Sequence, residues 1–328
     1  MGQKLNASAL LIGVSVVAIT LVTVTLVPTS VWREHPDRNL LIMKNMHFSL
    51  NTTSQQLERL TSMQKVCKRK PPIEKKFQGI YPSAFMSFRN VSFALLPKTG
   101  TTNILRMICI TVGPKCTNIT GYPDEYHYVP RFLQGVGNLT KYTKQGRNPK
   151  FIFTFVRNPW RRLVSAYIEK VLFTDSYIAI CSWNKNEKFK SLHKEIKANN
   201  QTLTFKEFLR YCVIEQYFNG GAMKMEPHYR PQILSGALCE INYNFIGQTE
   251  TYDEDIKVVL EQFQISNITW LMNEAKKYRK PNEKANLTSS TYLQHWKTVD
   301  SWMINLLKEI YADDFEMFNY PLSPFYIL

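Results

Sequence analysis

The chain has 328 residues, 44% hydrophobic and 13% aromatic, which excludes a disordered polypeptide and suits one large α/β domain or two small ones. Its 41 Lys and Arg against 26 Asp and Glu leave a formal charge of +15. Such an excess attracts polyanions, whether nucleic acid, anionic lipid, nucleotide phosphate or acidic glycan, and the compartment decides among them.

Residues Ala7 to Val27 carry no charged side chain, and 21 such residues at ~1.5 Å rise cross a ~30 Å hydrocarbon core. Lys4 and the amino terminus precede the segment, and Arg33 balanced by Glu34 follows it. The positive-inside rule then favours an N-in, C-out signal anchor. A cleaved signal peptide is the competing reading, but the run exceeds an h-region of ~7–15 residues and no clear A-x-A site follows. Position 6 is Asn6 rather than Ser or Thr, so the Met1-Gly2 start does not predict myristoylation. The expected organisation is a cytosolic tail (1–6), a transmembrane anchor (7–27), a stem (28–80) and a lumenal domain (81–328). The stem is polar, with Pro28, Pro36, Pro71, Pro72 and the basic run Lys68-Arg69-Lys70, and has room for a short helix around Ser54 to Gln64.

Beyond the anchor, N-x-S/T occurs at Asn51, Asn90, Asn118, Asn138, Asn200, Asn267 and Asn286, as suits a lumenal surface that tolerates sugar. Six cysteines (67, 109, 116, 181, 212, 239) allow up to three disulfides of unspecified pairing, and Cys109 equally reads as a free apolar thiol. No C-x-x-C pair or His/Cys cluster has zinc spacing. A lumenal body has little access to nucleic acid, so the positive charge points to nucleotide and glycan.

Val91 to Leu96 reads as a buried strand, and Leu105 to Ile110 as a helix-compatible apolar stretch. Phe151 to Val156 is a second strand, followed by an amphipathic helix from Trp160 to Val171 with Pro159 in its first turn. Thr204 to Glu207 and Thr251 to Glu254 have capping-box spacing, and Asp300 opens a last helix through Ile310. Apolar strands alternating with helices imply an α/β fold, a parallel sheet covered on both faces.

Between the first strand and its helix lies Pro97-Lys98-Thr99-Gly100-Thr101-Thr102-Asn103. Unpaired amides at a helix N-terminus, a glycine permitting close approach, three hydroxyls and a lysine suit an anion. It is not a Walker A loop, because Lys98 precedes the glycine instead of following it. The bland alternative is a strand-to-helix turn. Arg157 ends the second strand, where α/β ligands gather, and Ser165 lies eight residues on, about two turns into the next helix. An Arg fork and a hydroxyl meeting at one site suit a terminal phosphate, whereas Arg161 and Arg162 fit an ordinary basic helix face.

Together these elements resemble the sulfotransferases that use 3′-phosphoadenosine-5′-phosphosulfate (PAPS). Pro97 to Asn103 is similar to their 5′-phosphosulfate loop, and Arg157-Asn-Pro159 through Ser165-Ala-Tyr167 to their 3′-phosphate motif. Glu226-Pro-His228-Tyr-Arg230-Pro-Gln232, Tyr243 to Thr251 and Asp314 to Tyr320 resemble further blocks of the Golgi carbohydrate sulfotransferases, which include the chondroitin 4-O and HNK-1 enzymes. The likeness covers roughly Val91 to Tyr320. Two departures stand out. The loop has Thr101 where relatives often carry Cys, and Cys239 is followed by Glu240-Ile241 rather than a second cysteine, which puts one family disulfide in question.

The resemblance implies a P-loop-like sulfotransferase fold behind a single N-terminal transmembrane helix, placed as a type II protein of the Golgi membrane with its catalytic domain lumenal. It implies PAPS as co-substrate, no metal, and a carbohydrate acceptor, such as chondroitin or another acidic glycan. Lys98 would neutralise the leaving oxygen; Pro97, Lys98, Thr99, Gly100, Thr101, Thr102 and Asn103 would hold the 5′-phosphosulfate, and Arg157 with Ser165 the 3′-phosphate. His127 and His228 are the candidate general bases, Glu250 is a third but suits a structural carboxylate, and Arg131, Lys224 and Arg230 are candidate contacts to an acidic sugar. Two other classes stay open: a kinase, for which no Mg²⁺ carboxylate or Walker lysine is evident, and an inactive glycan-binding protein that keeps the fold.

Overall fold

The computed structural model describes residues 54–70, 85–88, 91–112, 134–137, 150–173, 181, 187–199, 201–277 and 289–326, all within one unit, 45–328. The elements used below are helix α1 (Ser54–Cys67), strands β1 (Phe85–Phe88) and β2 (Val91–Ala94), helix α2 (Thr101–Val112), and strands β3 (Gln134–Gly137) and β4 (Phe151–Val156). Helix α3 (Pro159–Tyr167) runs into a π-helical stretch, Ile168–Phe173. Then come α4 (Glu187–Ala198), a helical run over 205–220 whose centre is π-helical, β5 (Phe245–Gln248), α5 (Tyr252–Gln262) and α6 (Ile268–Lys277). The chain closes with α7 (Ser289–Lys297), α8 (Ser301–Ile310) and α9 (Ala312–Met317).

The sheet has five strands in the order β3-β1-β2-β4-β5. Strands β2, β4 and β5 are parallel, as expected. The other two depart from the expected parallel sheet: β1 runs antiparallel to both β2 and β3. Phe88 and Val91 face each other at the tight β1–β2 connection, which leaves no room for a crossover helix, so the strands must reverse.

Side-chain alternation explains why both faces are covered. Phe151, Phe153 and Phe155 join Val91, Phe93 and Leu95 in one core with Ile104, Ile108, Ile256 and Phe263. Ala94, Leu96 and Val156 point the other way, into a larger core with Trp160, Leu163, Phe208, Trp296 and Phe315. A period of two with apolar residues on both sides requires helices above and below. Phe93 and Phe153 stack at 5.1 Å, and Phe263 meets Phe153 edge-on at 6.0 Å.

The folded body begins earlier than residue 81. Helix α1, which the sequence placed in a stem, buries Leu60, Met63 and Val66 in the larger core. Its Arg59 is buried against Asp255 at 2.8 Å and also donates to the Ile246 carbonyl and Thr251 Oγ1. Cys67, which ends α1, is disulfide-bonded to Cys239, so the cysteine put in question by the family pattern finds its partner upstream. Cys181 pairs with Cys212, and Cys109 is disulfide-bonded rather than a free thiol.

The capping box at Thr204 is present, with Thr204 and Glu207 satisfying each other's backbone. The one expected at Thr251 is not. Its hydroxyl instead donates to Asp255 at 2.6 Å, because Arg59 draws Asp255 and Thr251 into one network. Among the described residues no helix is long and apolar enough to cross a membrane, and residues 7–27 lie outside them.

Candidate active site

The turn after β2 has two consecutive demands on its backbone. Gly100 has φ +83°, and Lys98 has φ +72°, a left-handed conformation that non-glycine side chains adopt at a cost. Gly100 has a second constraint, since a Cβ there would come within 2.8 Å of the Tyr252 ring. Thr99 and Thr101 both donate their hydroxyls to the Leu96 carbonyl, at 2.8 and 2.6 Å. Two of the three hydroxyls expected to face an anion therefore brace the loop from within, and Thr99 is buried. The Asn103 and Ile104 amides donate to the Gly100 carbonyl, so helical bonding begins there and the preceding amides are left without an intrahelical acceptor. Thr102 and Asn103 remain partly exposed beside them, with Asn103 Oδ1 accepting from Arg106 at 3.3 Å.

Arg157 sits at the end of β4 and reaches this loop, its Nη1 donating to the Lys98 carbonyl at 3.2 Å. The two segments singled out in the sequence thus line one site. The backbone at Arg157 is held with care. The Gln232 side chain accepts from the Arg157 amide and donates to its carbonyl, both at 2.8 Å. Asp314 in turn fixes Gln232 and Ile233 through their amides, at 2.7 and 2.9 Å. Burial raises the Asp314 carboxyl to about 6 despite those donors. On the next residue, Glu250 accepts from the Asn158 amide at 3.0 Å and from the Tyr320 hydroxyl at 3.2 Å. Glu250 is therefore a structural carboxylate. Asn158 caps α3 by accepting from the Trp160 and Arg161 amides, and Ser165 lies two turns on, partly exposed.

Arg162 is a member of the site that the sequence offered only as basic surface. Its guanidinium is buried and donates to three carbonyls: Pro97 at 3.1 Å, Pro227 at 2.8 Å and Arg230 at 2.5 Å. One side chain therefore fixes the loop against the 226–230 turn. That turn carries His228, whose Nδ1 pairs with Glu226 Oε1 at 2.5 Å while its amide donates to Glu226 Oε2 at 2.8 Å. A carboxylate on Nδ1 selects the tautomer that leaves Nε2 as a proton acceptor. Arg230 is buried, with Nε donating to the Met225 carbonyl at 2.8 Å. Lys224 is partly exposed, while His127 and Arg131 lie outside the described residues.

The Lys98 ammonium is ion-paired with Glu169, at the junction of α3 and its π-helical extension, and Glu169 also binds Lys170 at 3.1 Å. Burial pushes the Lys98 pKa down, and Glu169 opposes that shift. Burial would raise Glu169, but Lys98 and Lys170 outweigh it and hold the carboxyl at about 2. Neither Glu169 nor Arg162 has a spacing signal in the sequence, since each acts across a long chain separation. The family-like blocks pointed to Gln232 and Asp314 without revealing their task. Among the described residues no group of His, Cys, Asp and Glu is arranged to hold a metal ion. With lysine, guanidinium groups and free amides converging, the site is suited to binding anions at two places.

The sulfotransferase family model matches residues 85–321. Carbohydrate sulfotransferase 11 of Mus musculus is 26% identical over 240 residues, covering 70% of this chain and 64% of the relative. Carbohydrate sulfotransferase 14 of Danio rerio is 30% identical over 173 residues, covering 52% and 44%, and carbohydrate sulfotransferase 9 of Homo sapiens is 24% identical over 311 residues, covering 89% and 65%. The chain spans less than two thirds of the length of each of these relatives. No solved structure matches it. Matched across the sheet, the turn after β2, the Arg157 segment and the blocks that brace them, the chain belongs to the sulfotransferase family and is similar to its carbohydrate sulfotransferases.

Proposed function

We propose that the chain transfers a sulfuryl group from PAPS to a hydroxyl of a carbohydrate acceptor and releases 3′,5′-ADP. The observation that supports this reading is the bond from Arg157 Nη1 to the Lys98 carbonyl, which joins the turn after β2 to the end of β4. PAPS supplies the activated sulfuryl group. The Gly100 to Thr102 amides, with Thr102 and Asn103, hold its 5′-phosphate, and Arg157 and Ser165 hold its 3′-phosphate. Lys98 presents positive charge where negative charge grows on the leaving oxygen, which is where a preorganised cation lowers the barrier most. Pro97 and Thr99 act by shaping the turn. His228 takes the acceptor proton at Nε2, with Glu226 orienting the ring, a contribution of roughly 10²–10⁴-fold.

The protein works, in this proposal, as a type II Golgi membrane enzyme anchored by residues 7–27. Two described disulfides and an exposed Asn267 within its N-x-T triplet support a lumenal, oxidising setting. The acceptor is an acidic glycan, such as chondroitin, in keeping with the net charge of +15.

The test is transfer of ³⁵S from labelled PAPS by the full chain, purified from a secretory host, to a panel of desulfated glycans followed by disaccharide analysis. Label on one sugar hydroxyl is the expected result, lost on Lys98→Ala. Glycan binding without transfer by the wild-type protein would identify an inactive binding protein instead, and use of ATP in place of PAPS would identify a kinase.

A further inference from the structure

We infer that Arg161 is a second guanidinium ligand of the donor's 3′-phosphate, sharing it with Arg157. The inference rests on the sulfotransferase reading above and deepens it. Arg161 and Ser165 are four apart on α3 and so share one face of it, and Arg157 lies just before the Asn158 cap, close enough to Arg161 for their charges to interact. Arg162, the neighbour of Arg161, points into the core and is fully committed to three carbonyls. Arg161 is not committed in this way. Its Nε is buried with no hydrogen-bond partner among the described residues, and the Nε of Arg157 is in the same condition. Buried donors without acceptors are rare in folded proteins, and these two lie on guanidinium groups whose charges interact, unlike the unpartnered Nε of Arg59, whose Nη atoms are engaged by Asp255, Ile246 and Thr251.

Charge leads to the same conclusion. Arg161 occupies the third position of α3, where the helix dipole disfavours a cation. It also lies near enough to Arg157 for the two charges to oppose each other. The carboxylate that favours the Arg157 charge is Glu250, whose oxygens are engaged by the Asn158 amide and the Tyr320 hydroxyl. The first amides of α3 are capped by Asn158, so an anion here is held by side chains and not by the helix terminus. The Tyr292 ring braces the guanidinium, with Arg161 Cζ 5.8 Å from its centroid. Two guanidinium forks side by side suit a tetrahedral dianion with several free oxygens, and a terminal monoester phosphate is that group.

The test is calorimetric titration of the full chain with 3′,5′-ADP and with 5′-AMP, which differ only in the 3′-phosphate. Wild type is expected to bind 3′,5′-ADP more tightly. Arg161→Gln is expected to weaken 3′,5′-ADP by about tenfold or more, as for loss of a charge-assisted hydrogen bond, and to leave 5′-AMP unchanged. Arg161→Lys keeps the charge without the fork and is expected to fall between, with both variants melting like wild type. Equal weakening of both nucleotides, or no change in either, overturns the inference. A wild-type protein that ignores the 3′-phosphate overturns the sulfotransferase reading itself.

Discussion

Arg157 and Lys98, 59 residues apart, meet where the guanidinium donates to the Lys98 carbonyl at 3.2 Å. The contact draws the carboxyl edge of β4 onto the turn after β2, two parallel neighbours whose ends lie side by side. Lys98 is thereby fixed at its backbone by Arg157 and at its ammonium by Glu169, in a left-handed conformation at φ +72°. That conformation costs on the order of 1–2 kcal/mol for a residue with a Cβ. In the proposed function, a lysine kept there against its own preference is kept for its charge.

Lys98→Gly separates those two effects. Glycine relieves the strained φ, so the melting temperature is expected to stay level or rise, while sulfuryl transfer falls by about 10²-fold or more. Thermal unfolding and labelled-PAPS turnover on the same preparation check it. A variant that is active, or inactive only because it unfolds, removes Lys98 from the chemistry.

Glu169→Gln is expected to move the pH profile. Burial depresses the Lys98 pKa and Glu169 raises it, so removing the carboxylate lowers it further. In the proposed function Lys98 works as a cation, so its contribution is present below its pKa and is lost as pH rises through it. The alkaline limb of kcat/KM therefore shifts to lower pH, while the acid limb stays in place. An unmoved alkaline limb would leave Glu169 as a bystander.

The central strands and the two segments that meet at their carboxyl ends were legible because their information is local. Phe151 to Val156 announces a buried strand by composition, and the glycine-containing turn between Val91 and Leu105 announces a strand-to-helix junction. Helix α1 was visible as a helix but not as part of the body. Its partners Asp255, Ile246 and Cys239 lie 196, 187 and 172 residues away, and such pairings leave no periodic trace. Arg162 was hidden for the same reason. Nothing in a run of two arginines says that the first packs against the Tyr292 ring and the second takes three carbonyls in the core. The threonines of the loop misled in the opposite direction, because a hydroxyl near an anion loop reads as a ligand until its own turn is seen to need it.

Arg162→Lys tests the clamp. An ammonium on a flexible stem does not span the carbonyls of Pro97, Pro227 and Arg230, and leaving buried carbonyls unpaired costs about 3 kcal/mol. Denaturant unfolding is expected to show that loss, together with weaker 3′,5′-ADP binding, since the loop and the 226–230 turn lose their common support. Wild-type stability in the lysine variant would show that the clamp is dispensable.

Truncation tests the extent of the body. A secreted chain starting at residue 81 lacks Arg59 and Cys67, leaving Asp255 buried without its cation and Cys239 without its disulfide partner. It is expected to be retained and degraded, whereas a chain starting before Ser54 is expected to be secreted and to unfold cooperatively. Comparing secreted yields decides the matter, and equal yields would return α1 to the stem.

The most direct measurement is a crystal structure of the full chain with 3′,5′-ADP. One nucleotide is predicted to bridge the site, its 5′-phosphate on the Gly100 to Thr102 amides and its 3′-phosphate on Arg157. A nucleotide bound elsewhere, or one whose two phosphates fail to reach both segments, would contradict the account.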